Sequence, residues 1–241
     1  MKQHLGRAVY KFLGTHRGKA AYSRVAAEYY DESLHPTCAD FQDASLVFLK
    51  NLFSEVRPSG KIADVGCGRS LLAKFVDPRA LVLIDESGDM LQKNNRVSEW
   101  REVDVASEKF GLSEFDWIFS ILGDPYNVQS AWLNIAVALK RGGNCIFIVP
   151  SYEWALRFRE SVSSERPDLA RFDLADGTTE YLPSYIWPQD AQRGIIAGAG
   201  LRLISIDHVV VRDLPTVRSA KIANFLMSES PVLDIYRARR D

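Results

Sequence analysis

The scarcities of this 241-residue chain narrow its function before any motif does. It has three cysteines, Cys38, Cys67 and Cys145, an odd number with no C-x-x-C pair. That argues against a disulfide framework or a cysteine zinc site and suits a reducing compartment. No apolar run approaches the roughly 20 residues of a membrane span, and the first residues lack the apolar core of a secretory signal. A cytoplasmic protein without a membrane partner is expected. Neither charge sign is in excess: 30 Lys and Arg against 31 Asp and Glu leave a formal net charge of −1. Nothing therefore pulls the whole molecule toward nucleic acid or an anionic surface. The local exception is the start, where Lys2, Arg7, Lys11, Arg17, Lys19 and Arg24 all precede the first acid, Glu28. Such a run is commonly a solvated helix face; its alternative is an electrostatic footprint for RNA.

What is present is an ordinary globular composition, 46% hydrophobic and 25% charged, enough to bury a sizeable core. A helical region near 5–30 and a helix near 38–55 come first. Strand-like apolar runs follow at 62–65, 81–84, 100–103, 117–121 and 145–149, separated by stretches of helical periodicity such as 131–139. Strands alternating with helices imply right-handed crossovers and a parallel sheet covered on both faces. Residues 151–187, aromatic, charged and carrying Pro167 and Pro183, break the rhythm and read as an insertion or cap. A helix near 189–198, a β-branched run at 203–211, a helix near 216–228 and a last strand at 232–237 complete the pattern. The expected organisation is a helical lid over 1–55 and an α/β domain over 56–241 with the insertion at 151–187.

The first strand runs into Asp64-Val65-Gly66-Cys67-Gly68, and Leu71-Leu72-Ala73 is expected to open a helix. Glycines permit a tight turn and leave room for a ligand to approach the backbone. The second strand ends in Asp85, about 20 residues on, where a carboxylate can accept hydrogen bonds from two ribose hydroxyls. Its plainer role would be a helix cap, with Ser87 and Asp89 close by. A dinucleotide fingerprint wants glycine where Leu71 stands. Pyrophosphate also needs a helix start open to anions, and Asp64 sits two residues before the first glycine. That carboxylate suits a ligand carrying an ammonium and a sulfonium.

These motifs, in this order, resemble the class I S-adenosylmethionine-dependent methyltransferase family over about residues 20–240. Asp64–Gly68 resembles its motif I, with Ser70 where a third glycine is usual. Ile84-Asp85-Glu86-Ser87-Gly88-Asp89-Met90-Leu91 resembles its ribose-binding strand end and following helix start. Arg101-Glu102-Val103-Asp104-Val105 and Phe115-Asp116-Trp117-Ile118-Phe119-Ser120 resemble its third and fourth strands. Leu139-Lys140-Arg141-Gly142-Gly143 resembles its turn into the fifth, with Arg141 in place of proline. The resemblance implies a seven-stranded Rossmann-like sheet, five parallel strands plus a C-terminal antiparallel pair, with helices on both faces and an N-terminal helical lid. It implies S-adenosyl-L-methionine as cofactor and S-adenosyl-L-homocysteine as product. The implied cofactor contacts are Asp64, Gly66, Cys67, Gly68, Asp85, Glu86, Met90 and Ser120, with Asp104 at the adenine amino group and the Val105 amide at the ring. Tyr22-Ser-Arg-Val-Ala-Ala-Glu-Tyr-Tyr30-Asp31 resembles the lid helix, implying Tyr22 at the methionine carboxylate and Tyr30 at the edge of the substrate pocket. Without the family, Tyr22, Ala26, Tyr29 and Tyr30 are a helix face at core spacing.

A sulfonium is already an activated methyl donor, so the protein chiefly aligns the acceptor. A base is needed only for a protonated acceptor. His35, just after the lid helix, is expected to overhang the cofactor. Asp124-Pro125-Tyr126, beyond the fourth strand, is similar to the [D/N]-P-P-Y motif of amino-group methyltransferases, with one proline fewer; its plainer reading is a proline turn. His208, within a strand-like run, reads as structural, and no metal is expected. The expected activity is methyl transfer to an oxygen or nitrogen of a small polar molecule. The alternatives are an RNA or protein methyltransferase using the basic start, and a non-catalytic cofactor-binding scaffold.

Overall fold

A computed structural model describes residues 18–97, 99–159, 169–224, 229 and 231–241. The basic residues Lys2, Arg7, Lys11 and Arg17 lie outside them. The chain opens with α1 (Gly18–Val25) and α2 (Pro36–Glu55), then β1 (Ile62–Val65), β2 (Leu81–Asp85), α3 (Gly88–Leu91) and β3 (Glu99–Glu102). β4 (Phe115–Ile121), α4 (Gln129–Ala138) and β5 (Leu139–Pro150) complete the parallel part. α5 (Tyr152–Arg159), β6 (Leu169–Asp173), β7 (Thr179–Pro183), α6 (Gln189–Gly198), β8 (Arg202–Val210), α7 (Ala220–Ala223) and β9 (Pro231–Arg239) follow.

Seven strands form one sheet in the order β3-β2-β1-β4-β5-β9-β8. β1 to β5 are mutually parallel, and β9 runs antiparallel to β5 and β8, with Cys145 opposite Ala238 and His208 opposite Asp234. This is the expected sheet. Strands covered on both faces read as continuous apolar runs, and every residue of β1 and β2 is buried. Alternate side chains enter opposite layers: Phe119 and Ile146 pack with Phe48, Leu49 and Leu52 of α2, while Ile118 and Phe147 pack with Trp132 and Ile135 of α4.

Three expectations change. The helix expected from Leu71 is only a 3-10 turn, Leu72–Lys74. Asp77-Pro78 lies just ahead, β2 begins at Leu81, and Leu72 is wanted in the core under α2. The helix expected over 216–228 is described only as α7, started by the Ser219 hydroxyl accepting the Lys221 N–H at 3.2 Å; residues 225–228 lie outside the description. The region read as a cap contains a second, two-stranded sheet, β6 against β7. Its turn uses Gly177 at φ +84, with the Asp176 carboxylate accepting the Thr178 N–H at 2.8 Å.

This hairpin joins the N-terminal segment above the carboxyl ends of the parallel strands. Arg24 forks onto the Glu180 carboxylate, and Phe172 stacks between Tyr29 and His35, at ring separations of 5.5 and 3.9 Å. None of the described helices is long and apolar enough to cross a membrane.

Candidate active site

The glycine loop is held by the strand beside it. Gly66 and Cys67 donate N–H bonds to the Ile84 carbonyl at 2.8 and 3.2 Å. Gly66 (φ +66) and Gly68 (φ +47) occupy the left-handed region, which glycine enters without strain. The Asp85 carboxylate accepts the Gly68 N–H through Oδ2 and the Ser87 N–H through Oδ1, both at 2.9 Å. Burial raises its pKa above the ordinary value, and these two bonds oppose the rise. Asp64 is 1% exposed. The Ser70 hydroxyl donates to its Oδ2 at 2.5 Å, and among the described residues Oδ1 has no partner. Burial pushes this carboxyl up to about 7 against the Ser70 bond, with Asp85 adding to the rise.

Two tyrosines lie on the loop. A Cβ on Gly66 would stand 2.6 Å from the Tyr126 ring, and one on Gly68 would meet the Tyr30 hydroxyl. That hydroxyl accepts the Arg69 N–H at 2.5 Å, and the Arg69 guanidinium sits over the Tyr30 ring at 4.5 Å. The cavity left beside the loop is about 70 Å³, lined by Gly66, Cys67, Gly68, Asp85, Met90 and the two tyrosines among others. A neighbouring cavity of about 260 Å³ is lined by His35, Cys38, Asp124, Phe172, Ser184 and Lys221 among others. Tyr22, Tyr29 and Leu122 line both, so one layer of side chains divides them.

The two cavities divide the expected site residues between them. His35, expected over the cofactor, lines the larger cavity, held by its stack on Phe172 and lying 3.5 Å from the Glu28 carboxylate. Tyr30, expected at the substrate edge, is drawn onto Gly68 by Arg69. Asp124 and Tyr126, expected together on the acceptor side, are splayed apart by the 3-10 turn Asp124–Tyr126 that contains Pro125. Asp124 faces the larger cavity and Tyr126 the smaller one. The Ser184 hydroxyl donates to the Asp124 carboxylate, and the Asp124 carbonyl accepts the Tyr185 N–H at 2.8 Å.

Other expected contacts stand apart from both walls. Asp104 caps its own turn, accepting the Ala106 N–H and the Ser107 hydroxyl at 2.9 and 2.8 Å. Val105 is buried, its carbonyl accepting from Asn134. The Ser120 hydroxyl ties β4 to the Val65 carbonyl at 3.0 Å, and the Glu86 N–H meets the Tyr126 hydroxyl. Burial pushes the Cys38 thiol up to about 12, which keeps it protonated. Among the described residues no group of three His, Cys, Asp or Glu is placed to hold a metal. Sequence reasoning missed Tyr29 as a wall residue, Ser184 and Lys221. Only the position of Ser184 inside the aromatic insertion hinted at any of them.

Sheet order, a glycine loop after β1 and an acid ending β2 together define the class I S-adenosylmethionine-dependent methyltransferase fold. Solved structures agree. The chain is similar to the protein of a DhpI–SAM–HEP complex, at 17% identity over 94% of this chain and 100% of that one, with a TM-score of 0.64. It is similar to an S-adenosylmethionine-dependent methyltransferase from Clostridium acetobutylicum at 13% identity, 91% and 98% coverage and a TM-score of 0.59. A third, from Mesorhizobium loti, gives 15%, 80% and 98%, and 0.55. No protein-family model matches the chain, and no curated protein matches it by sequence. At these identities the likeness is one of fold.

Proposed function

We propose that the chain is an S-adenosylmethionine-dependent methyltransferase acting on an oxygen or nitrogen of a small polar molecule. The observation that carries this reading is the pair of cavities sharing the Tyr22, Tyr29 and Leu122 wall, one on the glycine loop and one on Asp124 and His35. The donor set fits the cofactor. Asp64 Oδ1 is a buried acceptor without a partner among the described residues, suited to an ammonium. Asp85 closes the loop where a ribose would lie, with Gly66, Cys67, Gly68, Glu86 and Met90 around it and Tyr22 on the dividing wall. Asp104 and Val105, after β3, lie on the side where adenine would extend, and Ser120, on β4, lies on the other side of the loop. Pockets for ligands of this size run to about 300–1,000 Å³, so entry requires Tyr30 and Tyr126 to turn off the glycines.

When bound, S-adenosylmethionine supplies an activated methyl group. The chain's own task is to align the acceptor across the shared wall and keep water out. Asp124 takes the proton of a hydroxyl or ammonium acceptor, and His35, lining the same cavity, is a second candidate base. The test is calorimetry with S-adenosylmethionine and S-adenosylhomocysteine. Binding is expected, and Asp85→Ala should weaken it by about 1–3 kcal/mol through lost ribose hydrogen bonds and a slackened loop. Unchanged affinity in that variant removes Asp85 from the site.

A second reading, a non-catalytic scaffold, has its own support: the loop cavity is small and both Asp85 oxygens hold backbone amides. Absence of binding in the same titration would favour a scaffold that keeps the fold without using the cofactor. For the RNA or protein alternative, the two basic residues of the start that are described are engaged, Lys19 with Glu102 and Arg24 with Glu180. A steep salt dependence of tRNA binding would restore it.

A further inference from the structure

The larger cavity carries a separation of charge that bears on its guest. Four ionic side chains of its wall are Asp124, Arg171, Asp173 and Lys221. Arg171 is neutralised by Asp173 at 2.8 Å. Among the described residues the Lys221 ammonium has no ion-pair or hydrogen-bond partner. Asp124 sits beyond the end of β4, next to Leu122 of the shared wall and hence beside the loop cavity. Lys221 comes from α7, across the cavity. Cys38 lines the same cavity, its thiol raised chiefly by burial and further by the Asp124 charge, and lowered by that of Lys221.

Lys221 is not on a loose surface segment. Its helix start is fixed by Asp40 of α2, which accepts the Ser219 N–H at 2.8 Å, and by a 2.7 Å bond between the Thr37 and Ser219 hydroxyls. The walls between the two charges are aromatic, from Phe41, Trp154 and Phe172. Lys221 itself is exposed and its charge also acts on Asp173, so salt screens its attraction for an anion. Trp154 adds an indole N–H, 94% buried by residue, with no partner among the described residues. The cavity thus offers the Lys221 ammonium from α7 and the Asp124 carboxylate beside the shared wall.

We infer that the methyl acceptor is a small molecule with an oxyanion at one end, carboxylate or phosphate, and that Lys221 is the residue that selects it. The inference rests on the methyltransferase reading of the two cavities. Lys221 binds the oxyanion, the aromatic walls take a short apolar spacer, and the nucleophilic hydroxyl or amine is delivered to Asp124 beside the shared wall. Lys221 touches the substrate away from the reacting atoms, so it sets specificity and takes no part in the transfer.

The test titrates 3-aminopropanoate, 2-aminoethyl phosphate and ethanolamine, which share an ammonium and differ in having or lacking an oxyanion, into protein loaded with S-adenosylhomocysteine. At least one oxyanion-bearing probe should bind about tenfold or more tighter than ethanolamine, with an affinity that falls as salt is raised. Which of the two binds tighter tells carboxylate from phosphate. Lys221→Met should lose about tenfold or more for that probe, and Lys221→Arg should keep most of it. S-adenosylhomocysteine should bind Lys221→Met as it binds the parent, showing that the variant is folded. Equal binding of ethanolamine, no binding of either oxyanion-bearing probe to the loaded protein, or an undiminished affinity in a folded Lys221→Met would each overturn the inference. Failure of S-adenosylhomocysteine itself to bind would overturn the methyltransferase reading beneath it.

Discussion

At Asp64 a carboxyl group sits in the core with one oxygen bonded to Ser70 and the other without a partner among the described residues. Its pKa is about 7 in the folded chain against an ordinary 3.8. Between those values the folded chain holds a proton that the unfolded chain has lost, so this group's contribution to stability falls as pH rises through the window. Below about pH 4 both forms are protonated and the group is neutral to the balance. Asp64→Asn should therefore gain on the parent in thermal unfolding between about pH 5 and about pH 8, by a few kcal/mol at most. Parallel melting curves across that range would show that Asp64 is not held protonated. A cation placed at Oδ1 would reverse the shift, which is what an ammonium-bearing ligand offers. Residues of this kind stand out in the sequence because their chemistry fixes their spacing: Asp64 lies near the end of one strand, Gly66 and Gly68 follow it, and Asp85 ends the next. Lys221 and Ser184 do not, since each reaches the cavity from a distant segment and neither belongs to a local pattern.

The turn elements carry the division into two compartments. Gly66 needs a left-handed backbone, and the Tyr126 ring fills the space where a side chain would begin. Gly66→Ala should cost about 2–4 kcal/mol, part from the dihedral and part from the ring. In a Tyr126→Ala background the same change should cost only about 1–2 kcal/mol, the dihedral share. Denaturant titration of the four proteins reads the difference, and equal costs would mean that the ring is not pressed on this loop. The strands of the sheet were readable because burial on both faces leaves continuous apolar runs. Short elements were harder. The segment after the glycine loop has apolar residues enough for a helix but too little chain before β2. The β6–β7 hairpin lies in a stretch whose aromatic residues serve the cavity and the roof as well as the strands, and this masks their alternation. Asp124 and Tyr126 were assigned to one side because a sequence motif does not show which way a 3-10 turn splays its ends.

Across the whole molecule the N-terminal and C-terminal parts are tied by one buried acid. Asp40 of α2, with no exposed surface, accepts the Arg218 and Ser219 N–H groups at 3.0 and 2.8 Å and the Arg218 guanidinium at 3.2 Å. Removing it strands two backbone donors, so Asp40→Ala should cost about 2–4 kcal/mol. Asp77→Ala, which breaks the exposed pair with Arg79, should cost under about 0.5 kcal/mol. Equal losses in chemical denaturation would show that the tie is no stronger than a surface pair. A different consequence follows from the place of β9, between β5 and β8 in the sheet but after both in the chain. When the chain is synthesised, β8 leaves the ribosome before the strand that joins it to β5 exists. Until residues near 231–239 arrive, β5 has an open flank and β8 has no sheet to enter. The pairing of Cys145 with Ala238 closes a long loop, which makes completion of this edge an entropically costly, late event in folding. The nascent chain thus passes through a stage with two unsatisfied strand edges, a stage at which non-native strand pairing competes with the native one.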